Sequence, residues 1–156
     1  MKKILAASAA ALALSSMTPA IAQSIKITPN GATPSVVGAS DYFTGHAVID
    51  SLYPATDETR ATTGVVTFAP GARTAWHTHP AGQLLIVTSG QGWIREEGQP
   101  KRVINPGDVI WIPVGIKHWH GATATNQMSH IAVSYMRDGK NVEWLEQVTD
   151  EQYGAK

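Results

Sequence analysis

His77 and His79 stand two residues apart, His118 and His120 repeat that spacing, and His130 follows ten positions later. Side chains alternate along a β-strand, so each i, i+2 pair projects from one face. Two imidazoles side by side can chelate. Packing alone gives no reason to crowd four rings that would repel one another on protonation, whereas a metal ion binds neutral imidazole and offsets the crowding. Gln83 lies four residues beyond His79, across Pro80-Ala81-Gly82, and its amide oxygen can turn toward the same point. The chain has no Cys, which excludes a disulfide scaffold, a thiolate nucleophile and a zinc ribbon. Any metal must therefore be held by nitrogen and oxygen.

The elements that have to position these groups are short β-rich runs split by Gly and Pro. Strands are expected over Ala61–Phe68, Thr74–His79, Gln83–Thr88, Gly92–Glu96, Arg102–Ile104, Val109–Ile112, His118–Gly121 and Ser129–Met136, at the regular spacing of an all-β sandwich or barrel. Breaks such as Ala69-Pro70-Gly71 and Asn105-Pro106-Gly107-Asp108 join a residue that presets φ to one that accepts positive φ, and Asp108 reads as a turn residue. On the last strand His130, Ala132 and Ser134 share one face, leaving small neighbours beside His130. Trp76, Trp111 and Trp119 alternate out of phase with His77, with Ile110 or Ile112, and with His118 respectively, which puts Trp76 and Trp119 between the barrel and a neighbour and outside any pocket. Residues 23–45 carry Pro29, Gly31, Pro34 and Gly38 and read as an arm or edge strand before a barrel over 46–140. In the tail, 141–156, Trp144, Leu145, Val148 and Tyr153 recur at three- to five-residue spacing, which predicts a short helix within Val142–Tyr153.

Composition narrows the partners. With 12 Lys+Arg against 12 Asp+Glu, and no basic cluster beyond the first three residues, the chain lacks the footprint that nucleic acid or an anionic membrane requires. A content of 43% apolar and 15% charged residues suits a buried core and excludes a wholly disordered chain. Lys2 and Lys3, the apolar run from Ile4 to Leu14 and the small-residue site Ala20-Ile21-Ala22 together predict a secretory signal peptide over 1–22, cleaved after Ala22. The mature chain would then act in the periplasm or outside the cell, with no membrane contact once the signal is removed.

The spacing from Gly71 through His77-Thr78-His79 and Gln83 to Gly90 resembles the first motif of the cupins, with Gln83 where that motif usually has Glu. Gly107, Pro113-Val114-Gly115 and His118 resemble the second, with Ala122 where it usually ends in Asn. The resemblance implies a small cupin β-barrel of two facing antiparallel sheets with a metal inside. The Gln and the later segments Lys117–Thr123 and His130 are similar to those of small manganese cupins that act as (R)-selective hydroxynitrile lyases. It implies His77, His79, Gln83 and His118 as metal ligands, Mn2+ as the ion, His130 as catalytic base and His120 lining the same pocket. Cupins also commonly associate, which implies a dimer or tetramer.

Three neutral imidazoles and a neutral amide leave the +2 of a divalent ion uncompensated, so its open positions draw an anionic group of a small-molecule substrate. In cyanohydrin cleavage His130 would take the hydroxyl proton and cyanide would leave, with His120 either protonating it or hydrogen-bonding through water. Two other readings use the same ligands: an oxygenase or decarboxylase acting on a small phenolic or carboxylate compound, and a non-catalytic barrel that binds metal or a small ligand. The donor set would also accept Fe, Ni, Co, Cu or Zn, with affinity rising along the Irving–Williams order.

Overall fold

The computed structural model describes residues 24–155, so the signal-peptide segment lies outside the described residues. The chain builds β1 (Val36–Val37), β2 (Phe43–Thr44), β3 (Ala47–Tyr53), β4 (Ala61–Phe68), β5 (Arg73–Thr74), β6 (His77–Thr78) and β7 (Gln83–Gly90). There follow β8 (Gly92–Glu96), β9 (Arg102–Ile104), β10 (Val109–Ile112), β11 (His118–Ala122), β12 (Met128–Tyr135), β13 (Glu143–Trp144) and α1 (Asp150–Gly154). One sheet runs in the order β1-β3-β4-β12-β7-β10, and a second in the order β13-β6-β11-β5-β2, with β8 pairing β11 and carrying β9. All the pairings are antiparallel. The two sheets face each other as a cupin β-barrel around Phe68, Leu85, Val87, Ile94, Ile112 and Met128.

Local chemistry fixes the ends of the strands. At the turn between β9 and β10, Gly107 takes φ +92° while the Asp108 carboxylate accepts the Asn105 N–H at 2.7 Å. Where β11 crosses β5, a Cβ at Gly121 would stand 2.4 Å from the Ala72 carbonyl and 2.6 Å from Arg73 Cα, so only glycine lets the strands approach there. That approach sets the height of His120, the residue before it.

Two expectations need correction. The strand expected over Thr74–His79 is two short pieces, because Ala75 and Trp76 send their N–H groups elsewhere, to the Tyr42 and Glu146 carbonyls. The helix expected within Val142–Tyr153 is only its last turn and a half. Glu143–Trp144 instead extends the second sheet by pairing with Thr78 and His77, and Val148 is buried against Trp119. Tertiary pairing overrode a loose local period. The helix that does form carries a reciprocal capping box: Thr149 Oγ1 accepts the Gln152 N–H, and the Gln152 side chain accepts the Thr149 N–H.

In the N-terminal region, β1 pairs with β3 as an edge strand and β2 pairs with β5. Trp76 and Trp119 lie outside the barrel, as expected, and their neighbour is the chain's own tail: Val148 covers them, flanked by Trp93 and Tyr153.

Candidate metal centre

His77 sits on β6, His118 opens β11 directly opposite it, His79 follows β6, and Gln83 begins β7 in the facing sheet. The three imidazoles offer nitrogen atoms all lying within 4.8 Å of one another, a group able to hold a metal ion. Their tautomers are fixed from behind. Nδ1 of His77, His79 and His118 faces the carbonyls of Ala75 (2.9 Å), Asn141 (2.6 Å) and Ile116 (2.9 Å). A carbonyl only accepts, so each Nδ1 carries the hydrogen and each Nε2 keeps its lone pair. Behind Gln83, its Nε2 donates to Ser134 Oγ at 2.9 Å, which turns Oε1 the other way. His79 Nε2, His118 Nε2 and Gln83 Oε1 are buried with no hydrogen-bond partner among the described residues.

Buried acceptors without donors are costly, about 1–3 kcal/mol each, and a converging set of them calls for a shared electrophile. A divalent cation fits: three borderline nitrogen donors and one hard oxygen, with their partners already satisfied on the far side. Burial pushes the pKa of His77 and His79 down, with the crowding of His118 adding to the effect on His77. Desolvation alone leads the fall of His118 to about 4. All three are neutral at pH 7, the form that ligates.

His120 and His130 complete the constellation. His130 Nε2 and His120 Nδ1 lie 3.2 Å apart, so one ring donates to the other, while His130 Nδ1 is buried and unpartnered. The His120 ring centroid is 5.3 Å from that of His77 and 4.9 Å from that of His130, which makes His120 the bridge between the ligand group and His130. Phe68 packs on both rings. Desolvation holds His130 down at about 4, and burial followed by repulsion from His130 holds His120 well below its usual value. His46, the sixth histidine, is exposed at the surface.

These groups open onto a cavity of about 240 Å3 whose remaining wall is largely apolar: Phe43, Ile49, Val66, Ala132, Val142 and Trp144. Among the described residues, no carboxylate and no lysine or arginine lines it. Spacing along β12 had placed Ala132 and Ser134 beside His130. Phe43, Trp144 and the Asn141 carbonyl could not be read in advance, because they arrive through strand pairings and a tail crossing that leave no local mark in the sequence.

The barrel, the three His-bearing strands β6, β11 and β12 and the spacing of the donors define a cupin, and the chain belongs to the cupin superfamily. Residues 64–134 match the Cupin_2 family, described as a cupin domain. The chain is 54% identical over 123 residues to an (R)-mandelonitrile lyase of Granulicella tundricola, a stretch spanning 79% of this chain and 94% of that protein. Among solved structures it is similar to a cupin-like protein of Thermotoga maritima, with 42% identity, a TM-score of 0.70, and coverage of 82% of this chain and 94% of the other. A cupin-2 domain protein of Rhodospirillum rubrum shares the fold at 12% identity, with a TM-score of 0.62 and coverage of 81% and 82%.

Proposed function

We propose that this cupin is a metal-dependent carbon–carbon lyase that interconverts a cyanohydrin with an aldehyde and cyanide, with an aryl aldehyde as the preferred carbonyl partner. The observation that carries this reading is the neutral His120–His130 pair set beside an unsatisfied three-imidazole, one-amide donor group in an aromatic cavity. The (R)-mandelonitrile lyase relative supports the reaction class. His77, His79, Gln83 and His118 would hold the ion, which we take to be Mn2+. When bound, the ion supplies Lewis acidity toward a substrate hydroxyl and compensates charge that four neutral donors leave unopposed.

The chain's own residues do the rest. Phe43, Trp144 and Val66 enclose the aryl group and exclude water from the reacting carbon. His130 accepts the hydroxyl proton, the oxygen's electron pair forms the carbonyl, and the carbon–carbon bond breaks with its pair leaving on cyanide. The proton then passes between His130 and His120 and is delivered to cyanide, so that hydrogen cyanide and aldehyde depart with no net change in the protein. His120, lying between the ligand group and His130, is well placed for that delivery. We further infer export of the chain through residues 1–22 and action of the mature protein in the periplasm or outside the cell, supported by the charged start, apolar run and Ala20-Ile21-Ala22 site.

Manganese-loaded protein given (R)-mandelonitrile should release benzaldehyde, and His130→Ala should lower the rate by about 10²–10⁴-fold while keeping its metal. Absence of benzaldehyde release from the loaded protein, with turnover of a catechol under oxygen, would replace this reading by the oxygenase one. Full turnover in His130→Ala would remove His130 from the mechanism.

A further inference from the structure

The four donors of the metal centre are aimed in two different ways. His77 and His118 are oriented by the chain just before them: Nδ1 of each donates to the carbonyl two residues back, Ala75 and Ile116, at 2.9 Å in both cases. Those bonds form wherever the strand forms. His79 and Gln83 are oriented from farther away. His79 Nδ1 donates to the Asn141 carbonyl in the tail, and Asn141 is held in turn by its own side chain, whose Nδ2 donates to Thr62 Oγ1 at 2.8 Å. Gln83 Nε2 donates to Ser134 Oγ at 2.9 Å.

Register puts the two hydroxyls side by side. Ser134 on β12 stands opposite Thr62 on β4 and opposite Gln83 on β7, so one rank across the six-stranded sheet reads Thr62, Ser134, Gln83. Alternation along β4 places Thr62 on the same face as Val66 and Phe68, which line the cavity. A two-residue turn delivers the amide that Thr62 receives. Asp138 and Gly139 take φ +51° and +77°, and the Arg137 and Lys140 backbones exchange both hydrogen bonds at 2.9 Å. The chain doubles back there, so that Asn141 reaches both Thr62 and His79.

We propose that Thr62 and Ser134 are positioning residues of the metal centre, two neighbouring hydroxyls that aim the remaining two donors: Thr62 turns His79 through Asn141, and Ser134 turns Gln83 directly. Thr62 and Asn141 lie outside residues 64–134, which match the cupin domain, so their bond belongs to the flanks of this chain. Fastening the tail does not account for it, because Gln147 already fastens the tail by donating to the Ser40 and Asp41 carbonyls and accepting the Thr44 hydroxyl. An outer partner fixes the tautomer and direction of a ligating imidazole, and its loss costs about 10–100-fold in metal affinity. The inference rests on the metal reading proposed above and is independent of the reaction.

Manganese affinity and the imidazole tautomers test it together. By titration calorimetry, Thr62→Val should lower manganese affinity by about tenfold or more, and Ser134→Ala should show a loss of the same order. Asn141→Ala removes the Thr62 bond from its other end and should match Thr62→Val. Thr62→Ser keeps the hydroxyl and should bind as wild type does, as should Gln147→Ala, which loosens the tail elsewhere. The second readout needs no metal. Long-range proton–nitrogen NMR spectra of metal-free wild type should show His79 as a single Nδ1–H tautomer, whereas Thr62→Val should show both tautomers at His79 with His77 and His118 unchanged. A Thr62→Val protein that keeps both its manganese affinity and the single His79 tautomer would overturn the proposal. So would Thr62→Ser, or Gln147→Ala, binding as weakly as Thr62→Val. A wild type that binds no manganese would sink the metal reading by itself, and the metal-free spectra would still decide whether Thr62 aims His79.

Discussion

The two sheets of this barrel treat their outer faces in opposite ways. On the sheet that carries His77, His118 and His120, the residues next to those histidines include Trp76 and Trp119, and the chain comes back to cover them. Arg73 fastens the cover: its Nε and Nη2 donate to the Val148 carbonyl at 3.2 and 2.9 Å, and its guanidinium lies over the Tyr153 ring at 4.6 Å. Tyr153 in turn donates to the Ala122 carbonyl at 2.9 Å. On the sheet that carries Gln83, Ser134 and His130, the outer face has no such cover among the described residues. The difference teaches that, among the described residues, the tail backs the strands that carry the three imidazole ligands and leaves the strand that carries Gln83 without such backing. The tail does more than insulate, because its Asn141 carbonyl holds His79 and its Trp144 walls the cavity.

The largest effect should come from attacking the seam between the sheets. His118 belongs to one sheet and His130 to the other, and burial holds both at about 4. Each is neutral in the fold but binds a proton more readily when unfolded, at the ordinary value near 6.5. Their contribution is therefore complete above about pH 6.5 and is lost as the pH falls toward about 4. In chelator-treated protein each should cost about 1.4 kcal/mol per pH unit across that window, summing to several kcal/mol, as followed by urea denaturation at stepped pH. Metal bound to His118 should delay the loss.

Next in size is the covered face. Trp119→Ala opens a void beneath Val148 and Tyr153 and should cost about 3–5 kcal/mol by denaturant unfolding, with metal affinity falling because His118 and His120 flank it. Removing the fastener is a smaller loss. Arg73→Met leaves the Val148 carbonyl without its buried donors and should cost about 1–3 kcal/mol by the same measurement. Its ion pair with Asp150, whose side chain is 94% exposed, adds little. The smallest effect on the folded chain belongs to the open face: Trp111→Glu removes a 54% exposed ring that packs on Gly82 and Tyr135 and should cost about 1 kcal/mol by denaturant unfolding.

How far the sequence reaches into this structure follows the same division. Strands β4, β8, β9 and β10 have the ends that alternation and Gly/Pro punctuation predict, because local rules decide them. The spacing of His77, His79 and His118 was legible as a chelating set because motif and period agree. The split between β5 and β6, the pairing of Trp144 with His77, and the extended course of the tail were not legible, since each depends on a partner tens of residues away. The His120–His130 hydrogen bond belongs to the same class: alternation puts each ring inside the barrel, but only the facing of two sheets brings them within 3.2 Å.

Elemental analysis of the purified mature protein, beside His77→Ala and Gln83→Ala prepared identically, tests the central claim most directly. Three imidazole Nε2 atoms and one carboxamide oxygen that share a cation predict about one divalent ion per chain in wild type, and a loss of about tenfold or more in affinity in each variant. A wild-type protein that holds no ion after exposure to manganese, or variants that keep a full complement of it, would contradict the account.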